Sequence, residues 1–149
     1  IRPNESILSP HYNTLSKLNC ILASIEANKL GYDEGIMNDM NGNISTCNST
    51  NLFFIKNDIV LTSTGEYCLN GITRAKAILV CNQNNIKCVE SNFTFEDIKR
   101  CNEAFVTGTF AGIIPVSRLE GRKLESTNSS SLVNQIRLLY NQHIEEYIG

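Results

Sequence analysis

Leu69-Asn70-Gly71-Ile72-Thr73-Arg74-Ala75-Lys76-Ala77-Ile78-Leu79-Val80-Cys81 is the stretch on which the reading turns. Gly71 closes a loop and a helix opens directly behind it, predicted over 73–81 and ended by 82–85. The first N–H groups of a helix have no intrahelical acceptor and carry partial positive charge, so an anion sits well there. Thr73 adds a hydroxyl donor. Taken alone, the segment fits a phosphate site or an ordinary Thr-capped helix. A second Thr/Gly turn, Thr107-Gly108-Thr109, lies between two apolar stretches, 103–106 and 113–119, that read as strands. Glycine there permits close approach of the backbone to a ligand. A plain turn would look the same.

Working outward, residues 1–15 hold Pro3 and Pro10 and little periodicity, so they read as an extended entry segment or interdomain linker. Ser16 is the expected N-cap of a helix over 17–30, with Gly31 just past its end. A short strand is expected at 34–38, and Asn41-Gly42 is a hairpin signal. The apolar runs 51–56 and 59–62 flank Asn57-Asp58 and read as a second hairpin. Further on come a strand at 87–93 and a short helix opening at Thr94. A polar, flexible stretch follows at 126–131, and then a last helix over 132–148. That helix carries Val133, Ile136, Leu139, Tyr140 and Ile144 on one face. Strands and helices are mixed and hairpins recur. The fold class is therefore α/β of the mixed α+β kind, with a curved, mostly antiparallel sheet or pseudo-barrel and flanking helices.

The chain has 149 residues, 42% hydrophobic and 19% charged, enough to bury a core as one domain over 16–149. A net charge of −2 without a basic stripe argues against nucleic acid as a partner. No apolar run approaches the roughly 20 residues of a membrane helix, and no signal peptide is visible. Six cysteines show neither a C-x-x-C pair nor a zinc spacing, so no metal is expected and they read as thiols of a cytoplasmic protein. Sequons at Asn4, Asn43, Asn48, Asn92 and Asn128 then read as coincidence. His11 reads as an exposed histidine.

Three segments in order carry a resemblance: 44–54 (Ile-Ser-Thr-Cys-Asn-Ser-Thr-Asn-Leu-Phe-Phe), Leu69 to Arg74, and 105–116 (Phe-Val-Thr-Gly-Thr-Phe-Ala-Gly-Ile-Ile-Pro-Val). With 21–31 and Tyr32-Asp33-Glu34-Gly35 they resemble the large domain of class IV aminotransferases, the fold-type IV enzymes that use pyridoxal 5'-phosphate. That family includes branched-chain and D-amino-acid aminotransferases and aminodeoxychorismate lyase. The resemblance implies amino transfer between an amino acid and a 2-oxo acid, or lyase chemistry, in a homodimer. It places the cofactor phosphate on Ile72, Thr73 and Thr109. Leu69 falls beneath the pyridine ring, and the substrate carboxylate on the N–H groups of Phe110 and Ala111.

The same resemblance marks three departures. The family's Schiff-base lysine falls on Asn13, which cannot form that bond; the nearest lysine, Lys17, is the catalytic candidate. The carboxylate that faces the ring nitrogen falls on Thr46, which could still hydrogen-bond an unprotonated nitrogen. The family's N-terminal small domain is absent from these 149 residues. A catalytically impaired homologue or fragment that keeps the fold and the phosphate pocket is the alternative.

Overall fold

The computed structural model describes Ser9 and residues 11–148. In chain order the elements are α1 (Leu18–Lys29), β1 (Ile36–Asn38), β2 (Ile44–Cys47), β3 (Asn51–Lys56), β4 (Ile59–Thr62), α2 (Ile72–Gln83) and β5 (Cys88–Glu90). They continue with α3 (Phe95–Ile98), β6 (Glu103–Gly108), β7 (Gly112–Pro115), β8 (Arg118–Leu119), β9 (Arg122–Lys123) and α4 (Leu132–Ile148). Pro3, Pro10 and the Asn4 sequon lie outside the described residues, as does most of the expected entry segment.

The main sheet has five strands in the order β5-β4-β3-β6-β7. Only β4–β5 is parallel; the other three pairings are antiparallel. Asn57 and Asp58 join β3 to β4 with φ of 52° and 60°. Two such residues twist the turn in the sense that strands require. The helix α2 makes the crossover that parallel strands need.

Side chains alternate across a strand, so adjacent phenylalanines face opposite sides. Phe53 stacks on Phe105 at 4.6 Å in the cluster with Val60, Ala77, Val133 and Ile136, which is the face covered by α2 and α4. Phe54 meets Phe93 edge-on at 4.6 Å on the other face, with Ile44, Ile98 and Leu124. The expected apolar stripe of α4 therefore has its destination: Val133 and Ile136 are fully buried, and Leu139 and Tyr140 pack beside them.

Several sequence expectations are corrected. Lys17, not Ser16, is the N-cap of α1, and no side chain caps it. The strand at 34–38 is shorter, and its partner β2 was missed because Ile44–Cys47 is half polar yet wholly buried. The helix expected at 73–81 runs from Ile72 to Gln83, because Asn82 fits a last turn and the chain reverses only at Asn85, φ 56°. The strand expected at 87–93 shortens to Cys88–Glu90, which pairs with β4 alone. The strand at 113–119 breaks after Pro115 into β7 and β8.

The stretch 126–131 is pinned rather than flexible. Ser126 Oγ accepts the Ala104 N–H at 2.8 Å, and Ser131 Oγ donates to the Ser126 carbonyl at 3.0 Å. Ser131 Oγ also accepts the Asn134 N–H at 3.0 Å, which caps α4.

Candidate active site

Asn51, the first residue of β3, organises the site. Its side-chain amide donates to the Leu69 carbonyl at 3.0 Å and so clamps the loop that leads into α2. Gly71 lies against it: a Cβ there would fall 2.6 Å from Asn51 Oδ1. Across the sheet Asn51 pairs with Thr107 of β6. The start of α2 and the end of β6 therefore flank one residue.

The N-cap of α2 is Gly71 and no side chain caps the helix, so its leading N–H groups are left for an outside acceptor. Thr73 is inside the first turn, not at the cap, and is buried. Arg74, also buried, points its charge elsewhere. It donates to the Ser63 carbonyl at 2.6 Å and pairs with Glu90 at 2.5 Å.

Thr107 is a further candidate that was not singled out as a site residue from the sequence. Its hydroxyl is buried without a hydrogen-bond partner, which few native hydroxyls are. The signal was in the sequence, as the first Thr of Thr107-Gly108-Thr109.

Beside this junction opens a cleft of about 510 Å³. Asn13, Lys17, Thr46 and Leu69 all line it, so four of the expected residues meet there. Ile72, Thr73 and Thr109 do not line it; they belong to the α2 and β6 ends next to it. Thr109, Phe110 and Ala111 form the exposed turn between β6 and β7, with the Phe110 ring in solvent.

Thr46 requires a correction. Its Oγ1 donates to the Thr50 carbonyl at 2.8 Å. With its one proton spent, the oxygen can accept a hydrogen bond but cannot donate to an unprotonated ring nitrogen. Next to it, burial and then the nearby Glu34 push the Cys47 thiol up to about 12. Glu34 itself is held by the Ser49 hydroxyl and N–H.

A phosphorylated pyridine would find its phosphate partners here: an uncapped helix start, the buried Thr73 and the unpaired Thr107 hydroxyl. Leu69 supplies an apolar contact for a ring. Among the described residues no Asp or Glu lines the cleft, so none of them stands in for the ring-nitrogen carboxylate.

A sheet of this order with α2 and α4 on one face is the fold of branched-chain aminotransferases. The enzyme of Thermoproteus uzoniensis, solved with norvaline, superposes with a TM-score of 0.86 at 29% identity, over 95% of this chain and 47% of that one. The holo-form of the Thermobaculum terrenum enzyme, solved with pyridoxal phosphate, gives 0.88 at 25% identity, over 96% and 48%. The family described as amino-transferase class IV matches residues 1–119, and the chain belongs to it. Among curated relatives, branched-chain-amino-acid aminotransferase-like protein 2 of Arabidopsis thaliana is 34% identical over 138 residues, 93% of this chain and 24% of that protein. The chain thus spans about a quarter of that relative and about half of the solved enzymes.

Proposed function

We propose that this chain is the cofactor-binding part of a pyridoxal-phosphate-dependent aminotransferase that moves an amino group between amino acids and 2-oxo acids. Branched-chain amino acids are the substrate class, in keeping with the names of its relatives. The observation that carries the reading is the junction at Asn51, which holds the loop before an uncapped helix and pairs across the sheet with Thr107, whose buried hydroxyl is unpaired.

In this reading the first N–H groups of α2 and the Thr73 and Thr107 hydroxyls hold the phosphate. Asn51 keeps the helix start in place, and Leu69 presses on the ring. The exposed N–H groups of Phe110 and Ala111 take the substrate carboxylate. The bound cofactor would supply an electron sink for the substrate carbon. Thr46 leaves that sink weaker than a carboxylate would, since its oxygen only accepts. The chain works as a homodimer in the cytoplasm, a compartment that suits its thiols.

Thermal protection by pyridoxal phosphate and by inorganic phosphate tests the site. Thr73→Val removes a donor at nearly constant volume and should reduce both protections at least severalfold, as should Thr107→Val. Equal protection of the wild type and both variants would remove the phosphate site. Amino transfer from leucine or valine to 2-oxoglutarate, assayed in the same protein, tests the reaction.

A further inference from the structure

We propose that Lys17 is the amine through which this chain bonds to its aldehyde cofactor, taking over from position 13. This rests on the reading of the cleft as a pyridoxal-phosphate site. Among the described residues Lys17 is the one amine that lines the cleft, and no described carboxylate lines it to hold that amine as an ion pair. Asn13 lines the same cleft four residues earlier. Its amide nitrogen has its lone pair delocalised into the carbonyl and does not condense with an aldehyde.

The placement of Lys17 is not explained by helix stability. It is the N-cap of α1, where a Ser, Thr, Asp or Asn would accept an N–H bond and where a cation meets the positive end of the helix. Its main chain is fixed on both sides. The N–H donates to the Leu15 carbonyl at 2.9 Å, and the carbonyl accepts the Ile21 N–H at 2.9 Å. The side chain makes no ion pair among the described residues. Lys17 thus stands, with its main chain held, at the wall of a cleft that Thr46 and Leu69 also line.

The step balances simply. The ammonium first gives one proton to solvent. The neutral amine adds to the aldehyde carbon, a C=N bond replaces C=O, and the oxygen leaves as water with the two amine hydrogens.

The test adds one equivalent of pyridoxal phosphate to the full chain, reduces with borohydride and maps the adduct by peptide mass spectrometry. The expected adduct is on the peptide containing Lys17. Excess pyridoxine phosphate, which has no aldehyde, should block it. Lys17→Ala and Lys17→Arg should abolish the adduct and the visible imine absorbance. Both variants should keep inorganic-phosphate protection within about twofold, because the phosphate partners are untouched. An adduct that survives in Lys17→Ala, or that maps to another lysine, overturns the proposal. So does tight binding with no adduct at all, although the cleft would then still be a cofactor site. Absence of any protection by pyridoxal phosphate or phosphate in the wild type overturns the site reading and this inference together.

Discussion

The body of the sheet and the helix α1 make opposite use of apolar residues. In the body, Phe53, Phe105, Val133 and Ile136 have no exposure worth the name, and α2 and α4 cover them completely. In α1 the apolar residues point outward. Leu18 is 65% exposed and Leu22 54%, Ile21 and Ile25 are similar, and only Ala27 is buried. Singly exposed apolar residues are normal, but two leucines and two isoleucines on one 12-residue helix make a patch that suits another protein surface. One region completes its own core, and the other is built to be covered. The cleft lies where they meet, since Lys17, Leu18 and Cys20 line it together with Thr46 and Leu69.

That contrast can be broken most sharply in the sheet. Phe53→Ala removes a stacked ring from the closed face and should lower stability by about 3–5 kcal/mol, read from urea denaturation. A loss under about 1 kcal/mol would mean that this face is not the core. Ser126→Ala strips a buried hydroxyl from the Ala104 N–H and should cost about 1–3 kcal/mol in the same assay. No measurable loss would return 126–131 to the flexible class.

The next effect is smaller and depends on pH. Asp97 accepts from both the N–H and the hydroxyl of Thr94, and these bonds, the backbone one first, hold its carboxyl below the ordinary carboxylate range. The folded value is depressed, so its stabilisation is present above the unfolded value of about 3.9 and is lost as pH falls through the folded value. Asp97→Asn should therefore shift the urea midpoint at pH 6, and the difference from wild type should shrink progressively as pH falls below about 3.9. A shift that stays equal at every pH down to acid unfolding would exclude the capping carboxylate as the cause.

The smallest change in folding is expected on α1, and it carries the other half of the comparison. Leu18→Glu with Leu22→Glu should alter monomer stability by no more than about 0.5 kcal/mol per site, as for other surface positions. The same pair should abolish self-association in light scattering. A wild type that stays monomeric at high concentration would show that the patch awaits something other than a second copy.

Local rules were legible in the sequence where one short pattern decides the outcome. Asn41-Gly42 gave the β1–β2 hairpin, Asn57-Asp58 the β3–β4 hairpin, and the spacing of Val133, Ile136 and Tyr140 the helix α4. What escaped depends on neighbours far along the chain. β2 is a strand although Ser45 and Thr46 are polar, because Ser45 Oγ bonds the Met37 carbonyl and Thr46 Oγ1 the Thr50 carbonyl. The pinned serines at 126 and 131 need Ala104 and α4 to be recognised. Within the site, Asn13, Thr46 and Leu69 could be placed by resemblance, and they do share a cleft. Thr107 stands in the same Thr/Gly turn as Thr109, but its buried, unanswered hydroxyl, like that of Thr50, shows only in the packing. The role of Asn51 likewise appears only when β3, β6 and the loop before α2 are seen together.

The pairing of Asn51 with Thr107 also sets a timetable. The β3–β4 hairpin closes over a two-residue turn and can zip as soon as it leaves the ribosome. The β3–β6 ladder must wait for α2, β5 and α3 to be made, and such distant pairings are slow to find each other. Until then the outer edge of β3 is open to the wrong strand, and the junction at Asn51 lacks its Thr107 side. A nascent chain halted before Thr107 emerges would therefore hold both hairpins and the helices α1 to α3, but not the Asn51–Thr107 pairing.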